Sequence, residues 1–219
     1  MGIVLKRRDN APIVKDVYGG IIDILMKEQD TGRAISFLKD YLRNLVNEKI
    51  PLEKLIITKS LNSNYKNPQQ IAHKVLADRM GQRDSGNKPS VGDRIPFIYV
   101  HNPDKKALQG ERIEHPTYIR ENNIRPNYTF YITNQIMKPV QQLFALVLEK
   151  IPGFKRRQEA FKDRIELETN KIGAENREAL QKKITDLRQK EVKVLLFDEF
   201  LIQANNAINK NQSIKNFFK

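Results

Sequence analysis

Apolar residues in the first fifty positions recur at spacings of three and four. Val14, Val17, Tyr18, Ile21, Ile22 and Leu25 predict a helix over residues 11 to 28 despite the Gly19-Gly20 pair, which a close backbone approach would explain. Asp30 and Thr31 then cap a clearer amphipathic helix, with Ile35, Leu38, Leu42, Leu45 and Val46 on one stripe and an end before Pro51. The two form a helical hairpin. Leu55 to Ile57 is a short apolar run that reads as a strand leading into Thr58 and Lys59, and Ile95 to Val100 is a second strand with Pro96 at an edge or entrance position. Between them, Asn67 and Pro68 read as N-cap and first helical residue, with Ile71, Ala72, Val75, Leu76 and Met80 continuing a helix to about Gly81.

Tyr128 to Lys150 predicts a long helical stretch, bent or restarted at Pro139. Pro152-Gly153 is the best internal boundary. Beyond it Phe161 and Ile165, then Leu180, Ile184 and Leu187, lie on faces among many charges, a pattern that fits a long hairpin or a docked arm. From Ala204 the chain turns Asn-rich and polar, then closes with Ile214, Phe217 and Phe218, apolar residues that invite a partner. The expected fold class is mainly α with a small β element. Its organisation is a helical domain over residues 1–153, a charged helical extension over 154–204 and a flexible tail over 205–219.

Composition narrows the function classes. The 219 residues include no cysteine, which removes disulfides and Cys-ligated zinc, and no apolar run approaches the length of a membrane span. A basic N-terminus without a following apolar stretch does not read as a signal peptide, so an intracellular setting is the expectation, whether nucleus, cytoplasm or a viral replication site. Lys and Arg number 39 against 26 Asp and Glu, a net +13 that favours a polyanionic partner, nucleic acid before membrane. From Lys155 onward there are 15 Lys and Arg against 10 Asp and Glu, leaving 24 against 16 before it. The excess is therefore spread along the chain.

Catalytic chemistry is not legible. His73, His101 and His115 are far apart, with no metal-ligand spacing, and read as surface or capping histidines. Neither a P-loop nor a GxGxxG fingerprint occurs, and Asp198-Glu199 lies in an apolar helical context unlike a two-metal carboxylate cluster.

Four ordered blocks carry a family resemblance. The first is IVLKRRDNAPIVKDVYGGIIDIL, with Arg7, Arg8, Asp9 and Asn10. The second is LIITKSL, with Thr58 and Lys59, followed by AHKVLADRM with His73, Arg79 and Met80. The third is GDRIPFIYV, from Gly92 to Val100. The fourth is PNYTFYITNQIMKPVQQLF, with Tyr131, Gln135, Lys138 and Pro139. Together they resemble the thumb of family B DNA polymerases over roughly residues 3 to 150. The resemblance implies a mainly helical thumb folding over the primer-template duplex, beside the palm and fingers of the same polymerase. It implies a piece of a DNA-directed DNA polymerase that does not transfer nucleotides by itself. The catalytic aspartates, and the Mg²⁺ they hold, are expected in the palm, so no cofactor is expected in this chain. Lacking cysteine, the chain carries no Cys-ligated C-terminal module of the eukaryotic replicative type, which points to a viral or archaeal-type relative.

Holding a duplex whatever its sequence needs Lys and Arg near phosphates. Lys59, Lys66, Arg79, Arg83 and Arg94 lie in or beside loops and helix ends of these blocks and are the expected phosphate contacts, each with a solvated charge or structural ion pair as the alternative. Arg7 and Arg8 join them or, with Asp9, form ion pairs at a palm–thumb hinge. His73 follows the family pattern and alternatively hydrogen-bonds within the thumb. The closing NQSIKNFFK resembles a sliding-clamp (PCNA) binding box, with Ile214, Phe217 and Phe218 as the apolar plug; the leading Gln of that box falls at Asn211, with Gln212 one place late. The competing reading is a non-catalytic nucleic-acid-binding or scaffold protein that reuses a thumb-like fold.

Overall fold

A computed structural model of the chain describes residues 3–173 and 175–217, and the side chains of residues 4–173 and 175–207. In chain order the helices are α1 (Ile3–Lys6), α2 (Pro12–Lys27), α3 (Thr31–Val46), α4 (Ala72–Arg83), α5 (Pro116–Glu121), α6 (Tyr128–Phe130), α7 (Lys138–Phe144), α8 (Gln158–Ile172), α9 (Arg177–Leu196) and α10 (Asp198–Phe217). Three strands, β1 (Ile57–Ser60), β2 (Arg94–Tyr99) and β3 (Ile113–Glu114), form one antiparallel sheet in that order. The mainly helical fold with a small β element matches the expected class.

The chain divides into two compact units, each discontinuous in sequence. One comprises Met1–Asp16 and Glu48–Tyr131; the other comprises Val17–Asn47 and Ile132–Lys219.

The first unit is built around the sheet. Ile57 pairs with Phe97, Thr58 with Pro96, Lys59 with Ile95 and Ser60 with Arg94; Ile98 and Tyr99 then pair with Glu114 and Ile113. Because β3 reaches only Ile98 and Tyr99, the missing N–H of Pro96 falls where β2 has a neighbour on one side only, which is how a proline is tolerated there. Alternation puts Ile57, Ile95 and Phe97 into the core, with Leu55, Leu76, Ile98, Ile113 and Ile119 buried around them. Tyr131 ties this core at two points. Its hydroxyl donates to the Leu55 carbonyl at 2.7 Å and accepts from the Tyr99 amide at 3.0 Å. The burial of Tyr131 pushes its phenol well above the ordinary value. Two local expectations are corrected. Residues Pro68–Gln70 close a 3-10 turn before α4 begins at Ala72, and Leu52–Leu55 forms another, so that β1 starts at Ile57. Strand β3 and helix α5 leave no periodic signature in sequence, being too short to complete a repeat.

The second unit is helical. Asp30 accepts from the Arg33 amide at 2.9 Å and caps α3, whose Leu38, Leu42 and Leu45 are fully buried. Gly20 lets the Phe37 ring lie close: a Cβ there would stand 2.5 Å from Phe37 Cζ, and the ring would have to shift. The stretch before Pro139 widens into a π-helical segment, Tyr131–Met137, and α7 restarts at Lys138. Proline removes an i→i−4 donor, and a wider turn just ahead of it is one way a helix absorbs that loss. α8 and α9 pack together, and α9 also packs on α7. α10 continues through the Asn-rich stretch that composition marks as a tail.

Candidate nucleic-acid interface

The antiparallel register decides which polar groups meet on the outer face of the sheet. Thr58 and Ser60 alternate onto one face of β1, and Arg94, opposite Ser60, lies on the same face. The Arg94 guanidinium therefore donates to Thr58 Oγ1 at 2.7 Å, to the Thr58 carbonyl at 3.0 Å and to Ser60 Oγ at 3.1 Å. All three acceptors are neutral. The side chain is thus oriented while its charge stays uncompensated by these bonds, on an exposed residue. Arg8, Asn10, Lys15, Glu53, Thr58 and Arg94 line one cleft of about 440 Å³, with Arg8 and Lys15 exposed and Glu53 paired with Arg120. The cations of this cleft can meet the oxygens of an anionic chain, beside apolar lining from Pro12 and Ile56.

Lys59, between Thr58 and Ser60 and paired with Ile95, leaves β1 on the opposite face. Its Nζ donates to Asp9 Oδ2 at 2.9 Å, and both side chains are half-exposed. The Lys59 hydrogen bond and the nearby charges of Lys59, Arg7 and Arg94 hold the Asp9 carboxyl below the usual carboxylate range. Arg7 is exposed, as is Lys66 in the loop after β1.

The remaining expected contacts have inward partners. Arg79 donates to the Gly110 carbonyl at 3.1 Å and the Ile113 carbonyl at 2.6 Å. Arg83 makes a two-pronged bond to Glu114, at 3.1 and 2.9 Å, and its guanidinium stacks 3.5 Å over the Tyr118 ring. The Glu114 carboxylate is buried, and it also accepts from the His115 amide at 2.8 Å. These arginines bind α4 to β3. His73 Nε2 lies 3.1 Å from the Tyr65 hydroxyl, and burial drives its pKa down, which favours the neutral imidazole. His115 caps α5, its Nδ1 accepting from the Thr117 amide at 3.3 Å.

Lys15 was not among the residues singled out from sequence, and Thr58 was quoted only within its block. The signal for the threonine and for Ser60 was period-2 alternation against Arg94, readable once the strand register is known. Lys15 had no such signal, since it is one exposed lysine on an amphipathic helix. Asn211, Gln212, Ile214 and Phe217 have side chains outside the described residues, and Phe218 lies outside them altogether.

Among the described residues, no group of three or more His, Asp or Glu stands together to hold a metal, and no helix is long and apolar enough to cross a membrane.

Comparison with known proteins gives this surface its context. The model of DNA polymerase family B matches residues 1–147, and the chain belongs to that family. A DNA polymerase of Pyramimonas orientalis virus is 50% identical over 220 residues, covering 100% of this chain and 18% of that relative. A DNA polymerase of Acanthamoeba polyphaga mimivirus is 51% identical over 154 residues, covering 68% of this chain and 9% of the relative. The DNA polymerase delta catalytic subunit of Caenorhabditis elegans is 38% identical over 148 residues, covering 67% and 14%. The chain thus spans less than a fifth of the length of these relatives. Viral relatives at about half identity agree with the expected viral type. The first of them also covers the charged segment beyond Lys155, whereas the family model stops at residue 147.

Proposed function

We propose that residues 3–150 are the thumb of a family B DNA polymerase and that the outer face of β1 and β2 grips the phosphate backbone of the primer-template duplex during replication. Arg94 carries this reading. It is exposed and cationic, and it is fixed by three neutral acceptors rather than by a carboxylate. Its Nε, both Nη2 hydrogens and one Nη1 hydrogen are already bonded, so one Nη1 N–H and the uncompensated charge of the guanidinium are left for a phosphate oxygen, and sequence-independent contact of this kind lets a duplex advance. Arg8, Lys15, Lys59 and Lys66 supply further positive charge around it. Arg79 and Arg83 act one step back, holding α4 against β3 through the backbone carbonyls and Glu114. His73, as a neutral ring bonded to Tyr65, shapes the loop that carries Lys66.

On this reading nucleotidyl transfer, and the Mg²⁺ it uses, belong to palm carboxylates that are not residues of this chain. The NQSIKNFFK segment is proposed to tether the polymerase to a sliding clamp, with the support of its spacing of Ile214, Phe217 and Phe218.

Fluorescence anisotropy of the chain with a primer-template duplex tests the grip. Wild-type affinity is expected to fall steeply between 50 and 200 mM salt. In an R8A/K66A/R94A variant, the slope of log K against log salt is expected to be shallower by about 2.7, for three lost phosphate contacts. Equal slopes in the two proteins would refute the assignment.

A further inference from the structure

Two carboxylates that hold arginines, Glu114 and Glu191, are buried and pair with two arginines each. Glu114 is 7% exposed with Arg79 and Arg83, and Glu191 is 1% exposed with Arg157 and Arg164. Asp9 is different. It is 41% exposed and makes a single hydrogen bond, to a lysine that is equally exposed. A pair so open to water contributes little to stability, and an ammonium is a compact charge that rotates freely to another oxygen. Yet the carboxylate is placed among Lys59, Arg7 and Arg94, whose charges all act on it. Of these, Arg94 stands on the wall proposed above to receive phosphates.

We propose that Asp9 is an intramolecular stand-in for a backbone phosphate: it occupies Lys59 in the free protein and is displaced from it when a phosphodiester arrives. This rests on the reading of the β1–β2 face as the backbone-gripping surface. A carboxylate and a phosphate oxygen make the same demand on Lys59, so each must compete with the other. Its effect is to weaken the grip by a constant amount at every sequence, which suits a surface that must let go and re-engage as the duplex advances.

The test is duplex affinity of the full chain at about 150 mM salt, with Asp9→Asn compared with Asp23→Asn. Asp23 has an exposed ion pair to Lys27 on α2, so its neutralisation makes the same change in net charge. D9N is expected to bind about fivefold tighter than wild type with a similar salt slope, since Lys59 reaches a phosphate in both, and D23N to stay near wild type. In a Lys59→Met background the gain from D9N is expected to vanish. Weaker binding by D9N would make Asp9 a strut, and so overturn the proposal. So would a gain no larger than that of D23N, or one that survives without Lys59. If wild type ignores duplex DNA at 50 mM salt, the gripping reading itself fails, and elution from immobilised heparin decides the remaining question. D9N eluting at higher salt than D23N, in a Lys59-dependent way, keeps the competition for polyanions; equal elution ends it.

Discussion

The helical unit and the outer β1–β2 face use the same residue type, arginine, in opposite ways. In the helical unit, Glu191 is buried on α9 and accepts from Arg157 Nε at 2.7 Å and Arg164 Nη2 at 2.5 Å. Burial pushes that carboxyl up, but the two guanidinium hydrogen bonds outweigh it and hold the group below the ordinary glutamate range. Arg188 adds a second tie, donating to the Ala145 carbonyl at 2.6 Å and to both oxygens of Glu149. Here cations are matched by anions, and the result is a fixed helical packing. At the β1–β2 face, Arg94 is bonded to neutral oxygens and remains exposed. A net charge of +13 hides this difference. What separates a structural arginine from one available to a ligand is the charge state of its acceptor and the depth of that acceptor, and neither can be read from composition.

The comparison can be broken by removing the anchors on each side, and the largest loss of stability is expected where an acid is buried between two arginines in the sheet-bearing unit. Glu114→Ala leaves Arg79 and Arg83, only 26% and 35% exposed, without their carboxylate. A loss of about 3 kcal/mol is expected, read as a lower urea midpoint with an unchanged m-value. Glu191→Ala should cost less, about 2 kcal/mol, because Arg157 and Arg164 are each about 40% exposed and can turn to water. If it cost more than Glu114→Ala, exposure of the partner would not be what sets the penalty.

Arg94→Ala sharpens the contrast from the other side. Its stability should stay within about 0.5 kcal/mol of wild type, since an exposed side chain bonded to neutral oxygens holds little together. Duplex affinity should nevertheless fall about fivefold at low salt. The smallest effect is in pH. Because the folded-state pKa of Glu191 is depressed, its contribution is fully present above the unfolded value of about 4.3 and is lost as pH falls through the folded one. The stability difference between wild type and Glu191→Gln should therefore shrink as pH falls below about 4.3 in denaturant titrations. A constant difference would mean that the carboxyl gains nothing from its arginines.

Long periodic elements were legible from sequence. The α3 stripe, its Asp30 cap and the break at Pro139 all follow from spacing and from what proline cannot donate. The family was legible from four blocks, and the match over residues 1–147 agrees with them. Partners of individual cations were not. Arg79 and Arg83 read as exposed arginines near a helix end, but their acceptors lie more than thirty residues away, at Gly110, Ile113 and Glu114. β3, which brings those acceptors, is two residues long and gives no pattern of its own. The Glu191 network was missed for the same reason: a glutamate in a charged helix looks solvated until the helix packed on it is known. Arg94, by contrast, stands one residue before the strand expected from Ile95 onward, and the strand that begins with it supplies Thr58 and Ser60 through its register.

The most direct test sets two single variants side by side, Arg94→Ala and Glu191→Ala, each measured for duplex affinity at 50 mM salt and for thermal unfolding. The account predicts a crossed result: the first loses affinity and keeps its melting temperature, while the second melts several degrees lower and, where folded, binds DNA like wild type. Two variants that lose stability and affinity together, or an Arg94→Ala protein that binds the duplex unchanged, would contradict it.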